Sequence, residues 1–169
     1  RYSGDITRNL LEEGNFIGSF STLTVTREAI ERVGEFDEQF PSYQDWEYYI
    51  RLSTVTKFEV IDKPFVVRHS GPWNQISDEF SQKYNQTRPL MIEKFSPLAR
   101  EYGKTTEQKF KATVDYSIAH AALRNDCYSK AREAFIQAIL HYPAYLRAWL
   151  YLGAIIGGEK TLNIIRDVK

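Results

Sequence analysis

The feature that most constrains this chain is a change of periodicity near Gly103. Beyond it the apolar residues recur at helical steps. Phe110, Val114, Ile118 and Ala121 form one set, and Tyr128, Ala131, Phe135, Ala138 and Ile139 a second. Tyr145, Ala148, Trp149 and Leu152 form the third. Each set falls on one side of a 3.6-residue helix. Before Gly103 the pattern is mixed, with stretches of β-branched alternation between helical ones. The expectation is therefore two parts: residues 1–103 with an α/β pattern, and an all-helical part over residues 104–169.

Within the first part, Leu10 and Leu11 before Gly14 read as the end of a short helix. Residues 16–26 read as a strand, because Phe20, Thr22, Thr24 and Thr26 alternate with Ser21, Leu23 and Val25. Thr26 is a good N-cap for a helix carrying Ala29, Ile30 and Val33, and Gly34 is placed to end it. A second helix opens at Asp45, with Trp46, Tyr49, Ile50 and Leu52 along one side. Residues 57–61 and 64–68 read as two short strands, the segment from His69 to Asn74 as a loop, and residues 78–95 as a long helix.

Composition removes several function classes. The 169 residues are 43% hydrophobic, with 22 basic and 22 acidic side chains. A chain this apolar has a core, and a net charge of zero offers no basic face, so nucleic acid is not an expected partner. The one cysteine, Cys127, excludes an internal disulfide and points to a reducing compartment. Its place in a helix connection argues against a nucleophile. No apolar stretch is long enough for a membrane span. The sequence opens at Arg1 and runs at once into structured-looking sequence, which predicts a piece of something longer.

The stretch richest in chemistry is Val33-Gly34-Glu35-Phe36-Asp37-Glu38, followed by Gln44-Asp45-Trp46-Glu47 and Arg51-Leu52. Upstream stand Gly14-Asn15-Phe16-Ile17 and Thr26-Arg27-Glu28, and downstream Arg68-His69-Ser70. In this order the motifs resemble the inverting family 2 nucleotide-sugar glycosyltransferases, which have the GT-A fold, over about residues 10–80. The family pattern has a "GGFDE" turn, an acidic step opening a helix, and an "R-L" beyond it. Here Glu35 stands at the second glycine and Gln44 at the first acid of the step. Asp45 alone keeps a carboxylate there.

The resemblance implies the acceptor-side half of a partial GT-A fold, without the donor-binding half and its D-x-D metal motif. It implies a nucleotide-sugar donor, a glycan or lipid-linked acceptor, and Mg²⁺ or Mn²⁺. It further implies a cytoplasmic enzyme, at the inner face of the membrane where the acceptor is lipid-linked. Asp45 becomes the general base: in a single displacement at the anomeric carbon the acceptor hydroxyl loses its proton as it attacks. A helix start favours the ionised form of such a base, although an Asp there is equally suited to simple capping. Trp46 and Gln44 are then acceptor contacts, Trp46 with a core role as its alternative. Gly18 and Ser19 line the sugar pocket or merely distort a strand. His69 is a metal ligand or a locally bonded loop histidine, and Asp37 builds a turn.

The helical part carries a second resemblance. Ala131, Phe135, Ala138 and Pro143, then Trp149-Leu150-Tyr151-Leu152-Gly153, resemble about one and a half tetratricopeptide repeats. Asp115 and Ala122 stand where the first repeat's aromatics belong. This implies a helical hairpin extension that is either packed on the first part or free to bind a protein partner.

Overall fold

A computed structural model describes residues 2–67, 80–158 and 161. In chain order the helices are α1 (Thr7–Glu13), α2 (Arg27–Val33), α3 (Gln44–Val55), α4 (Phe80–Gln82), α5 (Arg88–Glu101), α6 (Lys104–Arg124), α7 (Tyr128–His141) and α8 (Leu146–Ile156). A short 3₁₀ turn occupies Phe20–Thr22, and a π-helical turn over Lys83–Thr87 joins α4 to α5.

Among the described residues there is no strand. The one β-type pairing is an isolated antiparallel bridge, Gly4 with Phe58, closed by two backbone hydrogen bonds of 2.7 and 2.9 Å. This corrects the α/β expectation for residues 1–103 and, with it, the assignment to the family 2 GT-A transferases, whose architecture requires a sheet. The physical reason lies in the segments read as strands. Residues 16–26 are folded back on themselves: Asn15 bonds both the N–H and the C=O of Gly18, and Thr22 Oγ1 donates to Ser19 O at 2.7 Å. Gly18 holds a left-handed φ of 97° that an extended strand does not contain. Residues 59–67 are exposed and meet no neighbouring strand, so their β-branched pattern has no ladder to enter.

The helix signals fared better. Thr26 Oγ1 accepts the Ala29 N–H at 3.3 Å, and Gly34 ends α2 with φ 80°. Trp46, Tyr49, Ile50 and Leu52 are all buried along α3. Of the rod read as residues 78–95, residues 78 and 79 lie outside the described residues; the rest is helical from Phe80, runs on to Glu101 and contains Pro97. The change of pattern at Gly103 is a tight turn between α5 and α6. The part beyond it is helical throughout the described residues, as expected, with short links that fold α6, α7 and α8 back on one another.

Two apolar clusters form the interior. The first gathers α1, α3 and α5 around Leu10, Trp46, Tyr49, Met91 and Phe95. The second gathers α6, α7 and α8 around Ile118, Phe135, Ala138 and Ala148. Helix α6 belongs to both. Its Phe110 and Val114 enter the first cluster, and its Ile118 and Ala122 the second. Thr113 Oγ1 donates to Glu12 O at 2.8 Å, and a Cβ on Gly14 would stand 3.3 Å from Thr113 Cγ2. The backbone between α1 and the next loop therefore lies directly on α6, and only a glycine fits there.

Candidate functional site

Two of the sequence motifs meet in space at the N-terminal end of α3, the Asn15 loop and the Asp45 step. Tyr43 precedes that helix in a left-handed conformation, φ 60°, and Asp45 faces the Asn15 loop. Asn15 Nδ2 donates to Asp45 Oδ2 at 2.9 Å and to Gly18 O at 3.0 Å. Asn15 Oδ1 accepts the Gly18 N–H at 3.0 Å. One amide thus closes the loop and fixes the carboxylate. Trp46 N–H donates to Asp45 Oδ1 at 2.8 Å.

Burial pushes the Asp45 carboxyl above its ordinary value, while the Trp46 and Asp45 N–H groups, the Asn15 amide and the Lys83 charge pull it back down. Lys83 reaches the site from the π turn, with its ammonium 5.6 Å from the centre of the Tyr43 ring. The turn itself is pinned by a 2.7 Å hydrogen bond between the buried hydroxyls of Ser42 and Thr87. The product is a half-buried, oriented carboxylate with a raised proton affinity, which is what a general base needs.

Beside it lies an aromatic face. Phe20 packs edge-on against Tyr49 at 5.3 Å and Phe36 at 4.9 Å, and both Phe20 and Phe36 are exposed. Tyr49 is linked to the site by charge, since burial first and Asp45 second raise its proton affinity. Exposed rings of this kind offer apolar faces to C–H-rich ligands.

The predicted residues divide accordingly. Asp45 is half-buried and oriented, Gln44 is half-buried next to it, and Gly18 and Ser19 are exposed on the Asn15 loop. Trp46 is a correction. It is 2% exposed, its Nε1–H donates to Leu10 O at 3.0 Å, and it packs edge-on with Phe110 at 6.3 Å. No face of its ring is open for a sugar, so Trp46 is a core residue. His69 lies outside the described residues. The "R-L" position supports the fold. Arg51 Nη1 and Nη2 donate to Val33 O and Glu35 O at 2.8 and 2.9 Å, while Nε pairs with buried Glu47. Asp37 accepts the Gln39 N–H at 3.1 Å, as a turn builder does, and also pairs with Lys94.

Sequence reasoning left out Asn15 as a site residue, although its spacing to Gly18 is that of a side chain bonding its own turn. It also passed over Phe20 and Lys83, which no local spacing connects to Asp45.

No group of three or more metal-ligating side chains gathers among the described residues. No helix of the described residues is long and apolar enough to cross a membrane. Two surface hollows, of about 570 and 530 Å³, lie away from Asp45. Comparison with protein-family models, with curated proteins and with solved structures finds no match to this chain.

Proposed function

We propose that Asp45 is a general base that takes the proton of an acceptor hydroxyl during transfer of a sugar from a nucleotide-sugar donor. The observation that carries this reading is the Asn15–Asp45 pair: a carboxylate fixed by an amide and a helix N–H, raised in proton affinity, at the foot of an exposed aromatic face. In the step proposed, the acceptor oxygen bonds to the anomeric carbon as its proton passes to the Asp45 carboxylate. The bond from that carbon to the nucleoside diphosphate breaks, and its electron pair leaves with the phosphate. Phe20 and Phe36, in place of Trp46, hold the acceptor's apolar face. The acceptor class is a glycan or a lipid-linked sugar. A divalent ion, Mg²⁺ or Mn²⁺, would neutralise the departing diphosphate, and its ligands are not among the groups around Asp45. The helical architecture of residues 2–67 is compatible with this chemistry, which needs the pair and the rings and not a sheet.

The test is release of nucleoside diphosphate from a panel of nucleotide sugars with glycan acceptors, run with a donor-binding domain supplied in trans, on the unchanged protein and on Asp45→Asn. Turnover by the unchanged protein that falls about 10²–10⁴-fold in the Asn variant supports the base. Turnover that survives the substitution overturns it.

One observation favours a second reading, a docking module for a protein partner. Leu140, Leu146, Trp149, Leu150 and Ile156 are exposed around α8 and the end of α7. An apolar surface of this kind marks an interaction site. Titration with acceptor glycans separates the two readings, because a purely protein-binding module leaves the Asn15, Phe20 and Asp45 resonances unmoved.

A further inference from the structure

The second hollow has an unusual lining. It lies beside α4 and the π turn, next to the turn between α6 and α7, and has a volume of about 530 Å³. Phe80, Gln82, Asn85 and Gln86 come from the rod, and Asn125 and Cys127 from the turn. Four of these side chains end in a carboxamide, and among the described lining residues none carries a formal charge. The other hollow, along α5, contrasts with it: its lining includes Glu93, Arg100 and Glu107.

The backbone around the carboxamides is specialised on both sides. Asn85 and Gln86 sit within the π turn Lys83–Thr87, a widened turn of a kind found most often at functional sites. The opposite face of the same turn holds Lys83 and Thr87, both buried, against Tyr43 and Ser42. Across the hollow, Asp126 adopts a left-handed φ of 54°, which ends α6 tightly and brings Asn125 and Cys127 to the rim. Asn125 Nδ2 donates to Ala121 O at 2.9 Å, which fixes the orientation of its amide. Asn85 Nδ2 donates to Ser81 Oγ at 3.3 Å.

The chemistry of this lining selects a ligand class. Among the described lining residues an anionic ligand would find no cation and a cationic ligand no carboxylate. A wholly apolar ligand would strip water from four carboxamides without replacing it, which is unfavourable. A neutral ligand dense in hydroxyls meets every requirement. Each carboxamide offers two donors and an acceptor, and each sugar hydroxyl can answer either. The half-buried Phe80 ring at one end supplies a stacking face for C–H groups.

We propose that this groove binds a neutral oligosaccharide, held by Gln82, Asn85, Gln86 and Asn125 and stacked on Phe80. The groove and Asp45 lie on opposite faces of one π turn, so it is a second sugar site and not an extension of the first. It goes beyond the transfer reading and does not depend on it, because it is read by binding and not by turnover.

The experiment records side-chain amide and backbone NMR signals of the whole chain while chitotetraose, maltotetraose or a sulfated heparin tetrasaccharide is added to about 10 mM. The expected result is that at least one neutral tetrasaccharide shifts the side-chain amides of Gln82, Asn85, Gln86 and Asn125, and the sulfated sugar does not. Asn85→Ala and Gln86→Ala, at exposed positions that carry no core contact, should each weaken that binding about tenfold or more at an unchanged melting temperature. Gln86→Glu, which keeps the shape and removes the donors, should do the same. The proposal is overturned if neither neutral sugar moves these signals, if the sulfated sugar binds as well, or if the three variants bind like the unchanged chain. None of these results bears on Asp45, whose own test is turnover.

Discussion

Asn15 and Asp45 stand thirty positions apart in the chain, yet Asn15 Nδ2 lies 2.9 Å from Asp45 Oδ2 while the same amide closes the loop through Gly18. This gives Asn15 control over the proton affinity of the carboxylate. A hydrogen bond to the charged form lowers a carboxyl pKa, and burial raises it; here burial prevails. Replacing Asn15 with Leu removes the lowering influence and leaves the burial. The Asp45 carboxyl should then titrate higher than in the unchanged chain, as read by carboxyl ¹³C NMR. A base must be deprotonated to act, so the acidic limb of any kcat/KM profile should move to higher pH with it. An Asp45 titration that stays in place would show that Asn15 only shapes the loop.

The same raised affinity has a sign for stability. The folded carboxyl holds its proton to higher pH than the unfolded one. Stability is therefore fully present below the unfolded pKa and declines as pH rises through the window up to the folded value. Asp45→Asn cannot ionise, so on going from acid to neutral pH the stability of the variant should rise relative to that of the unchanged chain. Parallel denaturation curves at both pH values check this. An equal change in both proteins would mean that Asp45 is not raised.

Trp46 offers a separate check on which rings meet a ligand. Trp46→Phe keeps most of the volume and removes the Nε1–H bond to Leu10 O, leaving a buried carbonyl without that donor. The expected loss is about 1–3 kcal/mol of stability with no change in glycan affinity. Phe20→Ala should behave in the opposite way, with little change in melting temperature and weaker glycan binding at Asp45. A Trp46 variant that is stable but fails to bind sugar would restore the stacking role the sequence had implied.

The pattern of success and failure in the sequence has a physical basis. Helices were legible because their signals are local: Thr26 caps within three residues, Gly34 stops α2, and the apolar stripe of α3 lies within one element. The strands were misread because β-branched alternation states only that a segment suits a ladder, and the ladder is supplied by a neighbour. Residues 16–26 instead satisfy their polar groups through Asn15 and Thr22. Asp45 was singled out by a motif whose family the helical fold overturns. Its partner was not, because Asn15 reaches it only after the Tyr43 turn and the Gly18 turn have both formed. Phe20 was hidden for the same reason, and for Trp46 the sequence left the stacking and core roles both open.

Two carboxylates help tie the chain together around α6 and set its response to acid. Burial pushes Glu12 up, but hydrogen bonds from Lys109, Thr106 and Arg8 outweigh it and hold the carboxyl at about 2. Arg100 and Lys111 hold Glu107 likewise at about 2. Both are depressed, so their contribution is present above the unfolded carboxylate pKa and is lost as pH falls through the window from about 4.5 to about 2. The melting temperature should decline over that window. In Lys109→Met the decline should be shallower and should start from a lower value, because Glu12 then titrates nearer its unfolded pKa. Identical slopes in both proteins would show that Glu12 does not contribute.

The most consequential contact for architecture is Phe110. It is fully buried, edge-on to Trp46 at 6.3 Å and to Phe95 at 6.4 Å, so the first ring-bearing turn of α6 completes the core built by residues before Gly103. The packing brings the helical part close to Asp45: Phe110 touches the residue next to Asp45, and Thr113 bonds the end of α1. Phe110→Ala should therefore destabilise by about 3–5 kcal/mol, the range for emptying a large aromatic from a packed core. It should do so in one transition, since α6 also carries Ile118 and Ala122 in the second cluster and couples the two. Cutting the chain after Gly103 removes Phe110, Thr113 and Lys109 together. That piece should melt well below the whole chain and self-associate through the uncovered faces of Trp46 and Phe95. The Asp45 and Asn15 resonances should broaden as the loop they share loses its support on Thr113. If the shortened chain instead stays monomeric and melts where the whole chain does, α6 to α8 form an independent module. The exposed residues around α8 then become the better guide to what that module is for.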